Sequence, residues 1–553
     1  AASQYVTAVG GTSLTPAGTG TCTAAGAGAR GWCESAWDDS FGATVSGCSL
    51  YEPEPSWQQS GIPPGDTGCG SLRTVADVSA DADPATGIAV YDSYGEGGWQ
   101  AAPVGGTAVA AAIVGGADAL AGTPASDTDP ASYLYANQGG FNDIPAGANG
   151  TCSPAYLCTA GQGYNGPGGL GSPHGDSGFL SSYYRPITPA RILDTRSGTG
   201  TGGTVGPVAA GGTLALQVTG ADGVASANVT AVAVNITATG ESSAGLITAY
   251  PDGSPRPPIS NLDYTTGTTV ANLVIVPVGA DGKIDLYNAS SGTTQLIGDV
   301  FGYFTSDASA AGDTTYTPIT ATRFLDTRVG TGAPKAPLRD GKALVLQIGG
   351  AHGVPSGVAA VAINLTAVNE SGDGFLEAYA DGTGRPGVSN LQFTKLATAD
   401  MAIVPVGTDG KIDIYDGEAA STDVIGDVSG YFTVGTSGEK YHAISATRLI
   451  DTRNSRAVAG GGTLTVTPGA VAVAPSPDLV LNFTVTQGTS AGVLIVYPAG
   501  GSRPSTSNLN YTTGQTIANL SLAQTGAAGV DVYNASSGTV QVVADCLGYF
   551  SEG

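Results

Sequence analysis

Arg191-Ile-Leu-Asp-Thr-Arg196 decides the fold of most of the chain, because this stretch occurs three times. It returns as Arg323-Phe-Leu-Asp-Thr-Arg328 and as Arg448-Leu-Ile-Asp-Thr-Arg453. The copies lie roughly 120 to 130 residues apart, which is too long for a solenoid repeat and typical of an independent domain. The later part of the protein is therefore one unit repeated three times.

Three further motifs recur with the same spacing. A strand-like Asn-x-Thr, a Ser-Asn-Leu and a terminal Gly-Tyr-Phe each appear once per unit. The predicted domains are 184–305, 316–434 and 441–553, joined by short polar linkers at 305–313 and 433–440. The copies are Asn235-Ile-Thr237, Asn364-Leu-Thr366 and Asn482-Phe-Thr484; Ser260-Asn-Leu262, Ser389-Asn-Leu391 and Ser507-Asn-Leu509; Gly302-Tyr-Phe304, Gly430-Tyr-Phe432 and Gly548-Tyr-Phe550.

The hydrophobic pattern inside a unit has a period of two. Thr230–Thr237, Leu273–Val278, Ile284–Tyr287 and Leu296–Val300 are predicted strands, separated by Gly-rich turns. About eight short strands in about 120 residues favour an all-β sandwich or jelly roll.

The repeated polar residues allow two interpretations. Asp194, Arg196 and their counterparts could form a ligand site, but an ion pair that fixes a strand end is the favoured interpretation. The repeated Asn235, Asn364 and Asn482 are expected to hydrogen-bond across their own sheet. All four Trp lie outside the repeats, which leaves three matching tyrosines as either glycan contacts or ordinary edge aromatics: Tyr250, Tyr379 and Tyr497.

Composition excludes several classes of protein. The chain has 553 residues, 45 acidic against 20 basic, and a net charge of −25, so it will not neutralise nucleic-acid phosphates or bind anionic lipid. The 86 Gly and 32 Pro follow no Gly-X-Y period, which excludes collagen. The longest apolar run, Val109–Leu120, contains Asp118 and is too short for a membrane span.

Six of the seven cysteines lie in the first 160 residues, within Gly-rich loops. No pair has Cys-x-x-Cys spacing, so disulfides and a secreted, extracellular location are predicted. Pairing of sequence neighbours is favoured among the 15 connectivities that six cysteines allow. Cys546, in an apolar run, is expected to be buried. The favoured pairs are Cys22 with Cys33, Cys48 with Cys69, and Cys152 with Cys158.

The first 180 residues contain a second kind of pattern. Buried strands are predicted at Tyr5–Val9, Thr74–Ala80 and Ile88–Tyr91, and Gly105-Gly-Thr107 leads directly into a helix at Val109–Leu120. A turn of this kind aims backbone N–H groups at one point, where acyl-transfer enzymes place a nucleophile.

These stretches resemble the C-terminal half of a sedolisin, a serine-carboxyl peptidase with a subtilisin-like α/β fold. The resemblance rests on four blocks in the family's order. They are Tyr5-Val-Thr-Ala-Val-Gly-Gly-Thr12, Arg73-Thr-Val-Ala-Asp77-Val-Ser-Ala80, Gly105-Gly-Thr-Ala108-Val-Ala-Ala-Ala112, and the calcium loop with Phe141-Asn-Asp143-Ile144, Ala160–Asn165 and Gly169–Pro173.

Compared with the family's pattern, this chain differs at positions that matter for catalysis. Ala108 stands at the position of the nucleophilic serine, and the family's acid pair and oxyanion aspartate lie upstream of the first block. Asp38, Asp39, Asp77 and Asp81 fit turns and loops and do not replace them. A chain starting within a parallel sheet is expected to take its missing strands from an upstream fragment of the same precursor.

The resemblance also implies a calcium site formed by Asp143 with Ile144, Gly161, Gly163 and Asn165. Asn165 replaces an aspartate, so the Ca²⁺ affinity should fall. A Ser-His-Asp triad would need His174, in a Gly-rich loop, and is disfavoured.

The repeats resemble accessory modules of secreted actinobacterial enzymes. The leading hypothesis is a secreted pseudopeptidase that acts in extracellular binding or assembly, as a surface stalk or filament subunit, with homo-oligomers or a cell-surface polymer as partners. The alternatives are an active acid endopeptidase whose nucleophile is altered here, and a cell-wall or glycan-binding protein.

Overall fold

The structure is a computed structural model. It describes residues 3–20, 22, 31–55, 57–58, 68–94, 97–100, 102–121, 129, 131–136, 140–173, 182–279, 281–306, 312–417, 421–435, 438–468 and 478–551. Among the described residues, strand is the main secondary structure and helix is scarce. Two compact units divide the described residues, one within 3–173 and the other within 182–551.

The described part of the first unit contains short strands and two helices. A 3-10 turn lies at Ala155–Leu157. The elements are β1 Val9–Pro16, β2 Trp32–Ala36, β3 Gly47–Pro53, β4 Leu72–Val75, β5 Val78–Asp81, β6 Tyr91–Asp92, β7 Gly98–Trp99, α1 Thr107–Ala121, α2 Ser132–Ala136, β8 Phe141–Asn142 and β9 Ser172–Pro173.

A small sheet with one parallel pair carries the longer helix. β1 runs parallel to β5 and antiparallel to β2. Ala110 and Val114, four residues apart on α1, are buried in one apolar cluster with Val78 and Ala80 of β5. This spacing places one helical face against the sheet and fixes where the helix begins.

Three disulfides tie the loops of this unit. The structure bonds Cys22 to Cys33, Cys48 to Cys69, and Cys152 to Cys158, which are the neighbouring pairs that the sequence favoured. Cys546, in the second unit, is free and buried.

The second unit holds the three repeats. The predicted linkers lie partly outside the described residues, at 307–311 and 436–437. The strands of repeat 1 are β10 Tyr183–Asp194, β11 Thr213–Gln217, β12 Val229–Thr239, β13 Gly245–Pro251, β14 Leu262–Tyr264, β15 Val270–Pro277, β16 Lys283–Asn288 and β17 Gln295–Thr305.

The strands of repeat 2 are β18 Thr314–Asp326, β19 Leu338–Arg339, β20 Lys342–Gln347, β21 Ala360–Val368, β22 Gly374–Ala380, β23 Leu391–Phe393, β24 Thr398–Pro405, β25 Lys411–Gly417 and β26 Ser421–Val434.

The strands of repeat 3 are β27 Lys440–Asp451, β28 Thr463–Val466, β29 Asp478–Thr486, β30 Gly492–Pro498, β31 Leu509–Tyr511, β32 Ile517–Ala523, β33 Val530–Asn534 and β34 Gln541–Ser551, with a 3-10 turn at Thr452–Asn454.

Each repeat contributes two antiparallel groups of four strands, and the first groups of repeats 1 and 2 join into one nine-stranded sheet through β10 and β18, with β19 paired to β26. In repeat 1 their strand orders are β15-β12-β17-β10 and β11-β16-β13-β14, and the other repeats follow the same orders. In repeat 2, Leu325 and Ile363 of one sheet share an apolar cluster with Leu376 and Ile412 of the other. The alternation in β16, in which every second side chain is buried, matches the period of two in the sequence.

Six aromatic rings join the three repeats at their centre. We call this set the aromatic hub: Tyr184 and Phe304, Tyr316 and Phe432, and Tyr441 and Phe550. Ring centroids are 4.6 Å apart between Tyr184 and Phe432, 4.7 Å between Tyr316 and Phe550, and 4.3 Å between Phe304 and Tyr441. Since each of these contacts links two different repeats, the hub closes a ring of three.

The terminal Gly-Tyr-Phe motif is explained by the hub. Its Phe lies in the hub, and its Gly leaves room for a hub tyrosine: a Cβ on Gly430 would lie 2.3 Å from the Tyr316 hydroxyl oxygen. That hydroxyl donates to the Ser429 carbonyl at 3.2 Å. The equivalent approach occurs at Gly302 and Gly548, so the motif recurs because the same contact recurs.

The Asn-x-Thr and Ser-Asn-Leu motifs bind each other between repeats. The amide of Asn235 in repeat 1 donates to the Ser389 carbonyl of repeat 2 at 2.6 Å. Asn364 of repeat 2 donates likewise to Ser507 of repeat 3 at 2.6 Å, and Asn482 of repeat 3 to Ser260 of repeat 1 at 2.7 Å. The prediction that these asparagines bond across their own sheet was wrong, because the extended Ser-Asn-Leu backbone of the next repeat lies closer.

Two ion pairs per repeat support this interface. Arg196 pairs with Asp194 at 2.8 Å, as the favoured interpretation of these residues expected. Arg191 pairs with Asp299 at 2.8 Å, and Asp299 also accepts the Ser389 N–H of the next repeat at 3.0 Å. The first arginine of the repeated stretch therefore positions an aspartate that crosses to the neighbouring repeat.

One position breaks the equivalence of the three repeats. Asn272 donates to the Asn482 oxygen at 2.8 Å and Asn519 to the Asn364 oxygen at 2.9 Å. Repeat 2 has Asp400 at this position, and its carboxyl makes no hydrogen bond to Asn235. Accordingly, Asp400 Oδ2 and the Asn235 oxygen are both buried without a partner among the described residues.

Replacing Asp400 with asparagine should stabilise the protein at neutral pH. Burial away from any cation holds the pKa of the Asp400 carboxyl well above its usual value. The folded state therefore keeps a proton that the unfolded state releases, so stability falls as pH rises from the unfolded pKa to the folded pKa and stays low above it. Asp400→Asn removes the cost and supplies the missing donor. Thermal unfolding should show a gain at pH 7.5 that shrinks towards pH 4.

The exposed Asp373 provides the matched control. Asp373→Asn should leave the melting temperature nearly unchanged at both pH values. A D400N protein no more stable than the natural chain at pH 7.5 would contradict the missing bond.

Truncation of one hub ring should cost about 3–5 kcal/mol of unfolding free energy, the usual range for a buried Phe→Ala change. Phe432→Ala removes contacts to rings of all three repeats, whereas Val434→Ala acts at a side chain that is 65% exposed in the same strand. Denaturant unfolding should separate the two variants clearly. Equal midpoints would show that the hub contributes no more than the surface.

Candidate functional site

The start of α1 is the position that the resemblance associates with catalysis. Val109 and Ala110 are buried residues of α1, while Ala108, on the first turn of the same helix, is exposed. A Cβ on Gly105 would lie 2.5 Å from the Pro84 nitrogen, so the turn has to pass close to the loop after β5. The site presents backbone N–H groups and a methyl group, and a methyl group cannot attack a carbonyl.

Asp77 is enclosed in a hydrogen-bonded network. Its carboxylate forms an ion pair with Arg73 at 2.5 Å, both side chains being fully buried. It also accepts the Ala8 N–H at 2.6 Å and the Tyr135 hydroxyl at 3.1 Å, and Arg73 donates to the Ser3 carbonyl at 2.6 Å. These contacts tie the first residues to β4 and β5 and leave no oxygen exposed for chemistry.

The other candidate acids also have structural partners. Asp39 accepts the Phe41 N–H at 2.7 Å in an exposed loop, and Asp81 accepts the Thr86 hydroxyl at 2.8 Å. Asp38 forms a bridge with Ala43. None of these contacts places a carboxylate beside a nucleophile.

Sequence inspection missed one buried carboxylate. Glu34 accepts the Thr12 hydroxyl and the Ser172 hydroxyl, each at 2.6 Å. It therefore links β1, β2 and β9. The alternation of buried and exposed side chains along β2 could have indicated that Glu34 faces inward. A five-residue strand has too few alternations to decide which of its sides is buried.

The predicted calcium residues come together, but around an amide nitrogen. Asn165 Nδ2 lies 3.4, 3.0 and 3.1 Å from the carbonyl oxygens of Ile144, Gly161 and Gly163. Its Oδ1 accepts the Gly168 N–H at 2.9 Å, which fixes the orientation of the amide. The Nδ2 donor therefore occupies the place among the carbonyls where a cation would bind.

The remaining carboxylate does not change this conclusion. Asp143 accepts the Gly163 N–H at 3.2 Å, so one oxygen is used to hold the loop. Within the described ranges, no group of three or more His, Cys, Asp and Glu could hold a metal ion. Ca²⁺ takes six to eight oxygen ligands, and the Asn165 Nδ2 in this orientation supplies none of them.

The tyrosines considered for glycan stacking do not form an exposed platform. Tyr250 and Tyr379 are buried, with 8% and 6% of their surface exposed, and Tyr497 is half-buried. His174 lies outside the described residues. No described helix is both long and apolar enough to cross a membrane.

Two characterised peptidases are similar to part of this chain. Kumamolisin from Bacillus sp. (strain MN-32) is 37% identical over 183 residues, which is 32% of this chain and 30% of the relative. Sedolisin from Pseudomonas sp. (strain 101) is 35% identical over 199 residues, 34% of this chain and 30% of the relative. About a third of the chain is therefore similar in sequence to part of these two peptidases.

The extent of these matches limits what they show. The chain spans about a third of the length of the curated relatives it matches, and the matches support a peptidase-related protein. No protein-family model matches the chain.

Structural similarity adds nothing further. "Crystal Structure of the STIV MCP" is 8% identical with a TM-score of 0.12, covering 43% of this chain and 97% of that one. "The Triple Jelly Roll Fold and Turret Assembly in an Archaeal Virus" is 9% identical with a TM-score of 0.14, covering 74% and 98%. Scores this low carry no argument.

Asn165→Asp should create calcium-dependent stability that the natural chain lacks. The aspartate replaces the Nδ2 donor with an oxygen and adds a charge to the same carbonyl ring. Melting temperatures measured with EDTA and with millimolar CaCl₂ should coincide for the natural protein and separate for N165D. Asn149→Asp, at another loop amide that donates to a carbonyl, is the control and should show no calcium response. A natural protein that loses stability in EDTA would contradict the replacement.

Proposed function

We propose that the chain belongs to a secreted pseudopeptidase that acts by binding outside the cell. Under this proposal the first unit takes the subtilisin-like α/β arrangement that the sedolisin resemblance implies, and each repeat is a β-sandwich. The exposed Ala108 at the start of α1 carries the proposal, because removal of a serine nucleophile costs on the order of 10⁶ in rate. The three disulfides support an oxidising, extracellular location.

The closed ring of repeats favours binding over filament formation. A head-to-tail interface that closes after three copies leaves no equivalent surface to recruit a fourth. The contacts made by Asn235, Asn364 and Asn482 are all satisfied within one chain. The repeats therefore form a finished unit whose outer surface and clefts remain for a ligand.

The proposal predicts no peptide hydrolysis by the natural full-length protein. Fluorogenic peptides at pH 3–7 should be cleaved at background rate, while kumamolisin under the same conditions gives turnover. Ala108→Ser should not restore cleavage, because in a pseudopeptidase the family's acid pair and oxyanion aspartate no longer act. A large gain in A108S would instead favour the alternative of an acid endopeptidase with one altered residue.

Binding is tested by retention on purified cell-wall polysaccharide. Retention of the full-length protein, unchanged in A108S, supports the proposed function. The proposed function would be overturned by a protein that cleaves peptides and is not retained on such material.

A further inference from the structure

A polar cleft lies between repeats 1 and 3, at the interface that the Asn482–Ser260 hydrogen bond closes. It encloses about 370 Å³ and is lined by side chains of both repeats. Arginines are scarce in this acidic chain, yet three meet here: Arg256, Arg448 and Arg453. A volume of this size is within the usual range for small-ligand sites.

Arg256 is held ready for an anion. Its guanidinium carbon lies 3.8 Å from the centre of the Tyr287 ring, which fixes its plane without using its hydrogen-bond donors. In the part of the chain that the structure describes, no acidic group pairs with it. Its side chain is exposed, so the donor edge is available to a planar carboxylate.

The other two arginines are arranged differently. Arg448 forms a two-pronged pair with Asp545 at 2.8 and 3.0 Å, and this pair belongs to the interface. Arg453 uses Nε and Nη2 on Asp451, at 2.8 and 2.6 Å. Its Nη1 makes no hydrogen bond to a described residue, and the Arg453 side chain lines the same cleft.

The cleft also contains a carboxylate that the corresponding strands of the other repeats lack. Asp263 is buried and accepts the Ser260 hydroxyl at 2.8 Å and the Thr484 hydroxyl at 3.2 Å. The middle residue of the corresponding strand is Gln392 in repeat 2 and Asn510 in repeat 3. An aspartate beside threonine hydroxyls suits a ligand that brings hydroxyl donors as well as negative charge.

We propose that this cleft binds a sugar that carries a carboxylate, such as a uronic acid unit of an acidic polysaccharide. Arg256 and Arg453 receive the carboxylate, Asp263 and the threonines meet the hydroxyl groups, and Pro257 and Pro258 line the apolar side. The inference rests on the proposed function, because it names the ligand class for an extracellular binding protein.

A carboxylate sugar fits the cleft better than a more highly charged anion does. Asp451, Asp545 and Asp263 lie close to Arg453, so these carboxylates balance most of the positive charge of the cleft. A phosphate group would meet these carboxylates without offering hydroxyl donors to offset them. A neutral sugar would leave the donors of Arg256 unused.

Isothermal titration calorimetry with trigalacturonic acid tests the proposal on the full chain. One oligomer per chain should bind at low salt, and cellotriose, which is neutral, should not. Arg256→Gln should weaken binding about tenfold or more, the loss of one charged two-pronged hydrogen bond. Because Arg256 has no acidic partner, this change should leave the melting temperature unchanged.

Arg503→Gln is the matched control, since Arg503 lies 3.7 Å over Tyr533 in the same arrangement in repeat 3. Its affinity should equal that of the natural protein. Equal losses in R256Q and R503Q, no loss in R256Q, equal binding of cellotriose, or binding of inorganic phosphate alone would each overturn the cleft assignment.

Wall retention separates this proposal from the proposed function. Retention that R256Q leaves intact shows a binding protein whose ligand lies elsewhere, and overturns only the cleft. R256-dependent binding of the oligomer without wall retention supports the cleft and counts against wall binding.

Discussion

The hydrogen bond from an asparagine amide of one repeat to a serine carbonyl of the next is the interaction on which the second unit depends. It occurs three times in one rotational sense, at Asn235, Asn364 and Asn482. An interface of this head-to-tail kind produces a ring when the rotation closes, and here it closes after three copies. The aromatic hub packs the first and last strands of each repeat against those of the other two repeats. The Arg–Asp pairs hold the serine backbone in place.

The strands and the repeats could be predicted from the sequence, but the contacts between repeats could not. The period of two and the turn residues locate strands such as β12 and β16 because both signals are local. The meaning of Asn235 was missed, since its partner, Ser389, is 154 residues away and no local pattern records that contact. The motifs were visible as repeats, whereas their mutual contact required the fold.

The first unit shows a different limit. Ala108 could be placed at the start of a helix because the Gly-Gly-Thr turn is a short-range signal. The role of Asn165 could not be read beyond the loss of a charge. Whether an amide serves as a weak calcium ligand or replaces the ion depends on which atom faces the carbonyls, and the Gly168 N–H decides that through Oδ1. Such a choice is set by one backbone group outside the motif itself.

A ring built from one chain is free in a way that a ring of identical subunits is not. In a homotrimer every substitution appears three times, so a residue that improves one cleft alters all three. Here Asp263 faces one cleft, while Gln392 and Asn510 occupy the corresponding strands. Covalent linkage of the copies thus lets each interface diverge on its own, so that a scaffold of threefold pattern can carry a single specialised recess.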